Sequence, residues 1–141
     1  MKYGGLLAGL LIALPCQAQN WFNVSRPASQ QPGAMVEVDL DTVRAIEHGG
    51  EGIIRASFDR PRPHGTGFVY RSFVGTAQFD CRQRTITLTS AAYFLLPQAQ
   101  GPRLGADSSG RDAGMPPDLV ESLPLQARQA LLRAACAQAK P

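Results

Sequence analysis

The stretch that decides the fold covers residues 68–89 and reads FVYRSFVGTAQFDCRQRTITLT. Its first part, residues 68–81, is long and rich in β-forming residues, and Gly75 in the middle predicts a bend or bulge. The chain then turns into residues 85–89, TITLT, which alternate strictly between polar and apolar side chains. Strands joined by so short a connection pair antiparallel, because parallel neighbours need a long crossover. The sequence therefore predicts an antiparallel sheet built around this hairpin.

More strands are predicted before this hairpin. Residues 21–24 are aromatic and β-branched, residues 35–39 alternate in polarity, and residues 52–58 form a second central strand. Turns are expected at residues 40–44, where Asp41 would accept backbone hydrogen bonds, and at Gly49-Gly50. Five or six strands without an intervening helical segment indicate an antiparallel sheet.

Two segments rich in proline and glycine should interrupt this pattern. Residues 59–67 contain two prolines and two glycines, so we expect an exposed hairpin loop and no strand there. Residues 97–117 contain four glycines and four prolines with few apolar side chains. The second segment is expected to be a long mobile loop, which is uncommon inside a compact domain.

The C-terminal segment has the pattern of a helix. Pro124 is placed where a first-turn proline is tolerated, with Ser122 as a cap. Leu125, Leu132 and Cys136 recur at helical spacing, with Leu131 and Ala135 beside them. The predicted fold class is therefore α+β, with an antiparallel sheet packed against a C-terminal helix.

The first eighteen residues read as a signal peptide. Lys2 supplies the positive start, an apolar run of eleven residues follows, and Cys16-Gln17-Ala18 resembles a cleavage site. Cleavage after Ala18 would leave a single domain, residues 19–141, with only Cys81 and Cys136. An even pair of cysteines in an oxidising compartment indicates one structural disulfide, which would tether the helix to the end of a strand.

Two other interpretations of the leader stay open. A retained anchor would need about 20 apolar residues to cross a bilayer, well beyond the eleven present here. Lipidation of Cys16 would need a small residue before the cysteine, and Pro15 occupies that place. We expect an exported protein, in the periplasm or at the cell surface, without a transmembrane segment after signal cleavage.

The charge balance gives little support for a nucleic-acid partner. Fourteen basic residues face eleven carboxylates, and removal of Lys2 leaves 13 − 11 = +2. Nucleic-acid binders show clustered basic residues interleaved with exposed aromatic residues. We therefore expect no nucleic-acid partner.

Few residues suggest catalytic chemistry. His48 and His64, the only histidines, lie sixteen residues apart in turn-rich segments and are expected to be solvated. Neither histidine has a further His, Cys or carboxylate at the spacing of metal ligands, so no metal or other cofactor is predicted. Asp39 and Asp41 could share acid–base work, but carboxylates at such a junction more often cap a turn.

The most plausible contact site is the loop that contains Arg60, Arg62 and His64. The aromatic segment Phe68-Val69-Tyr70 follows it directly. A cationic loop beside aromatic residues could engage an acidic partner, lipid headgroups or a polyanion. The alternative is a solvated hairpin tip that the prolines merely stiffen.

The chain resembles the bacterial surface-adhesin protein E family. The resemblance rests on five features: Trp21, the segment Val36-Glu37-Val38-Asp39 with Asp41-Thr42-Val43, the strand end Phe79-Asp80-Cys81, Tyr93, and the terminal stretch from Leu131 to Cys136. It implies a small exported domain in which a disulfide tethers a C-terminal helix to an antiparallel sheet. The long segment after Leu96 departs from the family pattern.

The resemblance also favours one class of function. The family's namesake is an adhesin that binds host extracellular proteins, and the family brings no catalytic motif. The resemblance implies a non-enzymatic binding or envelope-structural module that contacts a protein at the envelope or host surface. The alternative is a small periplasmic hydrolase or ligand-binding domain with a cleft between sheet and helix.

Overall fold

The six strands in the described part of the chain follow one another in a single antiparallel sheet. We analysed a computed structural model that describes residues 19–25, 33–109, 115–116 and 118–139. The predicted signal peptide, residues 1–18, lies outside the described residues. The strands are β1 (Trp21–Asn23), β2 (Ala34–Ile46), β3 (Gly49–Pro63), β4 (Val69–Asp80), β5 (Thr85–Leu96) and β6 (Gln100–Ser108). Their order in the sheet is the order in the chain, β1 to β6, so each strand pairs with the next.

One α-helix, α1 (Leu125–Gln138), follows the sheet, and a 3-10 helix, Pro97–Ala99, lies between β5 and β6. The predicted fold class is confirmed. Within the described ranges, no helix is long and apolar enough to cross a membrane.

The core forms between one face of the sheet and α1. Alternate residues of the central strands point to the same face, which is why Val36, Ile54 and Phe79 are fully buried while neighbouring residues are not. Ala127, Leu131 and Ala135 are the fully buried residues of α1. Burial of this apolar surface supplies most of the stabilisation of the fold.

The predicted disulfide joins Cys81, the residue after β4, to Cys136 of α1, with 5.9 Å between the two Cα atoms. The helix packs closely on the sheet at this end. A Cβ atom at Gly50 would lie 2.9 Å from the Cβ of Ala139, so a glycine is needed there.

The expected hairpin loop at residues 59–67 is largely strand, and that prediction was wrong. Strand β3 continues to Pro63, and pairing resumes at Arg62 with Tyr70 after a register shift that begins at Ser57. Four residues, 58–61, thus oppose the single residue Arg71. This bulge accommodates Pro61 because bulged residues do not contribute to the ladder.

The expected long loop at residues 97–117 was also wrong over its first half, because residues 100–108 form β6. The turn before β6 is held by side chains of the neighbouring strands. The Gln98 N–H donates to Ser57 Oγ (2.8 Å), and the Ala99 N–H donates to Ser72 Oγ (3.0 Å). Both turn residues have a φ angle near +58°, which these hydrogen bonds help to stabilise.

Two other turns lie at positions that differ from the prediction. The expected turn at residues 40–44 lies inside β2, as a register shift between Asp39 and Arg44. Asp39, and not the predicted Asp41, accepts the backbone hydrogen bond there, from the Asp41 N–H (3.2 Å). The turn expected at Gly49-Gly50 forms two positions earlier, at Glu47-His48, and β3 already begins at Gly49.

The helix start also differs from the prediction. The Ser122 hydroxyl donates to the carbonyl of Leu119 and does not cap α1. Leu125, expected on the buried face, is 59% exposed.

The bulge predicted at Gly75 lies next to that glycine, between Thr76 and Ala77.

Candidate binding surface at the β3–β4 hairpin

Arg60 lies on the bulge of β3, and Arg62 is the residue at which pairing with β4 resumes. Arg71, opposite the bulge on β4, donates from its guanidinium to the carbonyls of Phe58 (3.3 Å) and Asp59 (2.9 Å). These bonds satisfy backbone acceptors that the interrupted ladder leaves unpaired. The hydrogen bonds from Arg71 therefore stabilise one conformation of the bulge, which positions the backbone of Arg60 and Arg62.

Arg62 is held against an aromatic ring. Its guanidinium carbon lies 4.3 Å from the centroid of Phe58, in the geometry of a cation–π contact. Such a contact contributes about 0.5–1 kcal/mol at a partly exposed site. Because the side chain is already ordered, less conformational entropy is lost when a partner binds it.

A groove of about 570 Å³ lies beside the two arginines. The residues that line it are Gly33, Phe58, Asp59, Arg60, Pro61 and Arg62. Asp59 is engaged with the start of β2, since its carboxylate accepts the Gly33 N–H (2.9 Å). Arg60 is exposed and has no ion pair within the described ranges, so the groove presents cationic groups to the solvent.

His64 does not lie on this surface, and the expectation that it is solvated was wrong. The residue is 5% exposed and stacks on Phe68, with 4.3 Å between the ring centroids. Its Nε2 atom lies 2.8 Å from the Asp107 carboxylate on β6. Its Nδ1 atom accepts the Thr66 backbone N–H (3.2 Å) and lies 2.8 Å from the Thr66 hydroxyl oxygen.

These contacts fix the tautomer of His64. Since Nδ1 accepts from Thr66, the proton is on Nε2 and is donated to Asp107. A carboxylate, an imidazole and a hydroxyl in this order are also the parts of a hydrolytic relay. Here the imidazole is enclosed, with its side chain 2% exposed, and its two nitrogens are engaged by Thr66 and Asp107. The arrangement ties the tip of the β3–β4 hairpin to β6.

Tyr93 completes the enclosure of the imidazole, with 4.8 Å between the ring centroids. Burial raises the pKa of the Tyr93 hydroxyl well above its ordinary range, and the nearby Asp107 carboxylate raises the pKa further. The hydroxyl oxygen is enclosed and, among the described residues, lacks a well-aligned hydrogen-bond partner.

The other residues considered from the sequence are dispersed. His48 is exposed, as expected, and lies beside Glu47 at the opposite end of β3 from the bulge. Asp39 is buried within β2, whereas Asp41 is exposed. Among the residues that the structure describes, no three His, Cys, Asp or Glu side chains gather as metal ligands.

Sequence reasoning missed Phe58, Arg71 and Asp107 as parts of this region. Phe58 was assigned to a strand core, and its contact with Arg62 depends on the bulge. Asp107 fell in the segment expected to be a loop. No local signal marks it, because residues 105–109 read Gly-Ala-Asp-Ser-Ser and show no alternation of polar and apolar side chains.

Comparison with known proteins gives one positive finding. The family model for surface-adhesin protein E matches residues 21–137, from β1 almost to the end of α1. No curated protein and no solved structure matches the chain. Because the match covers most of the chain and the sheet, helix and disulfide are in place, this protein belongs to the surface-adhesin protein E family.

Proposed function

We propose that this protein is an exported, non-enzymatic binding module that contacts an acidic segment of a protein at the envelope or host surface through Arg60 and Arg62. Membership in a surface-adhesin family implies an exported or surface protein with a binding role. The sequence of residues 1–18 supports export through a cleaved signal peptide.

One observation carries the choice of site. Arg60 is exposed without an ion pair within the described ranges, beside Arg62, which Phe58 already orders. A guanidinium can pair bidentately with a carboxylate, so two of them in one groove favour an acidic protein surface. The groove volume of about 570 Å³ accommodates several side chains of a partner.

The experiment starts with partners captured by the mature protein from envelope extracts and from extracellular matrix proteins. Affinity for each purified partner is then compared between the wild-type protein and Arg60→Ser/Arg62→Ser. The control is Arg82→Ser/Arg133→Ser, which removes the same charge from two exposed arginines outside the groove.

We expect the groove variant to bind about tenfold or more weakly and to lose part of the salt dependence, because exposed ion pairs are screened. The control variant should bind like the wild type. Equal weakening in both variants would indicate only an effect of net charge. Unchanged affinity in the groove variant would show that the bulge is an inert connector.

A further inference from the structure

A second groove, between α1 and the start of β5, has a different chemistry. Its volume is about 420 Å³, within the range of small-ligand sites. Four apolar residues line it: Ile86, Val120, Leu125 and Leu132. We call it the helix-side groove.

Part of this apolar surface faces the solvent. Leu125, the first residue of α1, is 59% exposed, and Ile86 at the start of β5 is only partly buried. Leu132 and Val120 belong to or contact the core and form the inner wall. An apolar chain laid along this wall would remove the exposed surface from water, at about 25 cal/mol for each Å² buried.

Two arginines border the same groove, Arg84 from the β4–β5 turn and Arg128 from the first turns of α1. Neither guanidinium has a hydrogen bond or ion pair within the described ranges, and the Nε atom of Arg128 is enclosed without a partner. Because that Nε atom is out of reach of solvent, an anionic ligand would pair with the terminal N–H groups of the two guanidiniums.

The charge balance of the lining is positive. Glu121 is the one carboxylate among the described lining residues, and it forms no ion pair with either arginine. Two guanidinium groups and one carboxylate give 2 − 1 = +1. The start of α1 carries the positive partial charge of the helix dipole, and the first turn contains no acidic residue that would offset it.

We infer that the helix-side groove binds an anionic amphiphile, with its apolar chain against Ile86, Leu125 and Leu132 and its carboxylate or phosphate head between Arg84 and Arg128. Such a ligand would bury its chain against the apolar residues of the lining and pair its head group with the arginines. A peptide would bring backbone N–H and C=O groups that an apolar wall leaves unpaired. This site is separate from Arg60 and Arg62, so the inference does not depend on the proposed function.

The test uses four probes below their micelle concentrations. Sodium dodecanoate and dodecyl phosphate supply the two head groups, dodecyltrimethylammonium reverses the charge, and acetate lacks the chain. Affinity is measured by calorimetry, and the position of binding by backbone amide shifts in NMR spectra. A peptide ending in leucine with a free carboxylate is titrated in parallel.

Variants then assign the contacts. Arg84→Asn removes one guanidinium, and asparagine is chosen because residue 84 has a φ of +58°, which Asn adopts more readily than most residues. Arg128→Gln removes the other guanidinium. Each should weaken dodecanoate about tenfold, the usual effect of losing a charged hydrogen bond. Arg103→Gln/Arg133→Gln, two exposed arginines outside both grooves, is the control and should bind like the wild type.

The inference holds if dodecanoate or dodecyl phosphate shifts the amides of Ile86, Val120 and Leu125 and the arginine variants weaken that binding. The preferred head group distinguishes a carboxylate from a phosphate ligand. It is overturned if dodecyltrimethylammonium binds equally well, if both arginine variants leave affinity unchanged, or if no groove amide shifts. Tighter binding of the peptide at the same residues would also overturn it, in favour of a peptide site.

Discussion

His64 Nε2 lies 2.8 Å from the carboxylate of Asp107, which joins two parts of the chain 43 residues apart. His64 follows the end of β3, and Asp107 lies on the edge strand β6. The bond and the stacking on Phe68 hold the tip of the β3–β4 hairpin over the aromatic core. A residue that the sequence placed in a solvated loop is therefore part of the core.

Replacing this histidine should destabilise the protein. His64→Ala removes a buried ring and the hydrogen bond to Asp107, and we expect a loss of about 2–4 kcal/mol in the free energy of unfolding. Urea denaturation measures this loss. His48→Ala is the matched control, because His48 is exposed, and should change the free energy by less than about 0.5 kcal/mol. Equal effects of the two substitutions would contradict the assigned role of His64.

Removing the enclosed hydroxyl of Tyr93 should not destabilise the protein. In Tyr93→Phe the ring contacts remain, and the hydroxyl that is removed is enclosed with only a poorly aligned contact to Asp107, so the free energy of unfolding should stay equal or rise by up to about 1 kcal/mol. The control is Tyr93→Leu, which removes the ring and should cost more than about 1 kcal/mol. A clear loss of stability in Tyr93→Phe would indicate that the hydroxyl has a hydrogen-bond partner after all.

The disulfide should contribute strongly to stability. Cys136→Ser is expected to cost about 2–5 kcal/mol, the range for disulfides of small secreted domains. Leu131 and Ala135 remain as anchors of α1, so hydrogen exchange should rise first at the C-terminal end of the helix. Cys81→Ser should give the same loss, since both variants open the same loop. Unfolding at an unchanged urea midpoint would show that the bond is dispensable.

Acid stability should depend on Glu51. Hydrogen bonds from Arg44, and then from Gln78 (3.1 Å), lower the pKa of this carboxyl group below its ordinary value of 4.5. The stabilisation is therefore present above about pH 4.5 and is lost as the pH falls through the lower folded-state pKa. The pair is partly exposed to solvent, so the contribution is at most about 1 kcal/mol.

Glu51→Gln should reduce the loss of stability in acid, measured by urea unfolding between pH 6 and pH 3. Glu47→Gln is the control, because the Glu47 side chain is 88% exposed. It should keep the wild-type pH dependence. If the two variants show the same pH dependence, the hydrogen bonds to Glu51 do not contribute measurably.

Much of the architecture follows from local patterns. Alternation of polar and apolar residues identified the strand from Thr85 onward, and the short turn after Cys81 required an antiparallel neighbour. Helical spacing identified α1 and Leu132 among the residues that it buries, with Leu131 and Ala135 beside it, although Leu125 is exposed. These features depend on residues close together in sequence, so their physical causes can be read from the chain alone.

The candidate site could be predicted only in part. Arg60 and Arg62 were proposed as contact residues because a charge pattern near prolines is visible in sequence, and both line one groove in the structure. His64, two residues after Arg62, belongs to a different environment because it lies past the end of β3, in the hairpin turn. No local rule indicates where a strand with two prolines resumes its pairing.

The sequence by itself determined the strand periodicity, the helix, the cysteine pairing and the class of fold, because side-chain alternation and chain connectivity are local properties. Only the tertiary structure decided that residues 100–108 form an edge strand, that His64 is buried against Asp107, and that two arginines without a partner in the described ranges border the helix-side groove. For His64 the stabilising partner lies 43 residues away, and the turn before β6 is held by Ser57 and Ser72 of distant strands. Hydrogen bonds from distant strands and burial against distant rings outweigh the local preference of glycine and proline for loops.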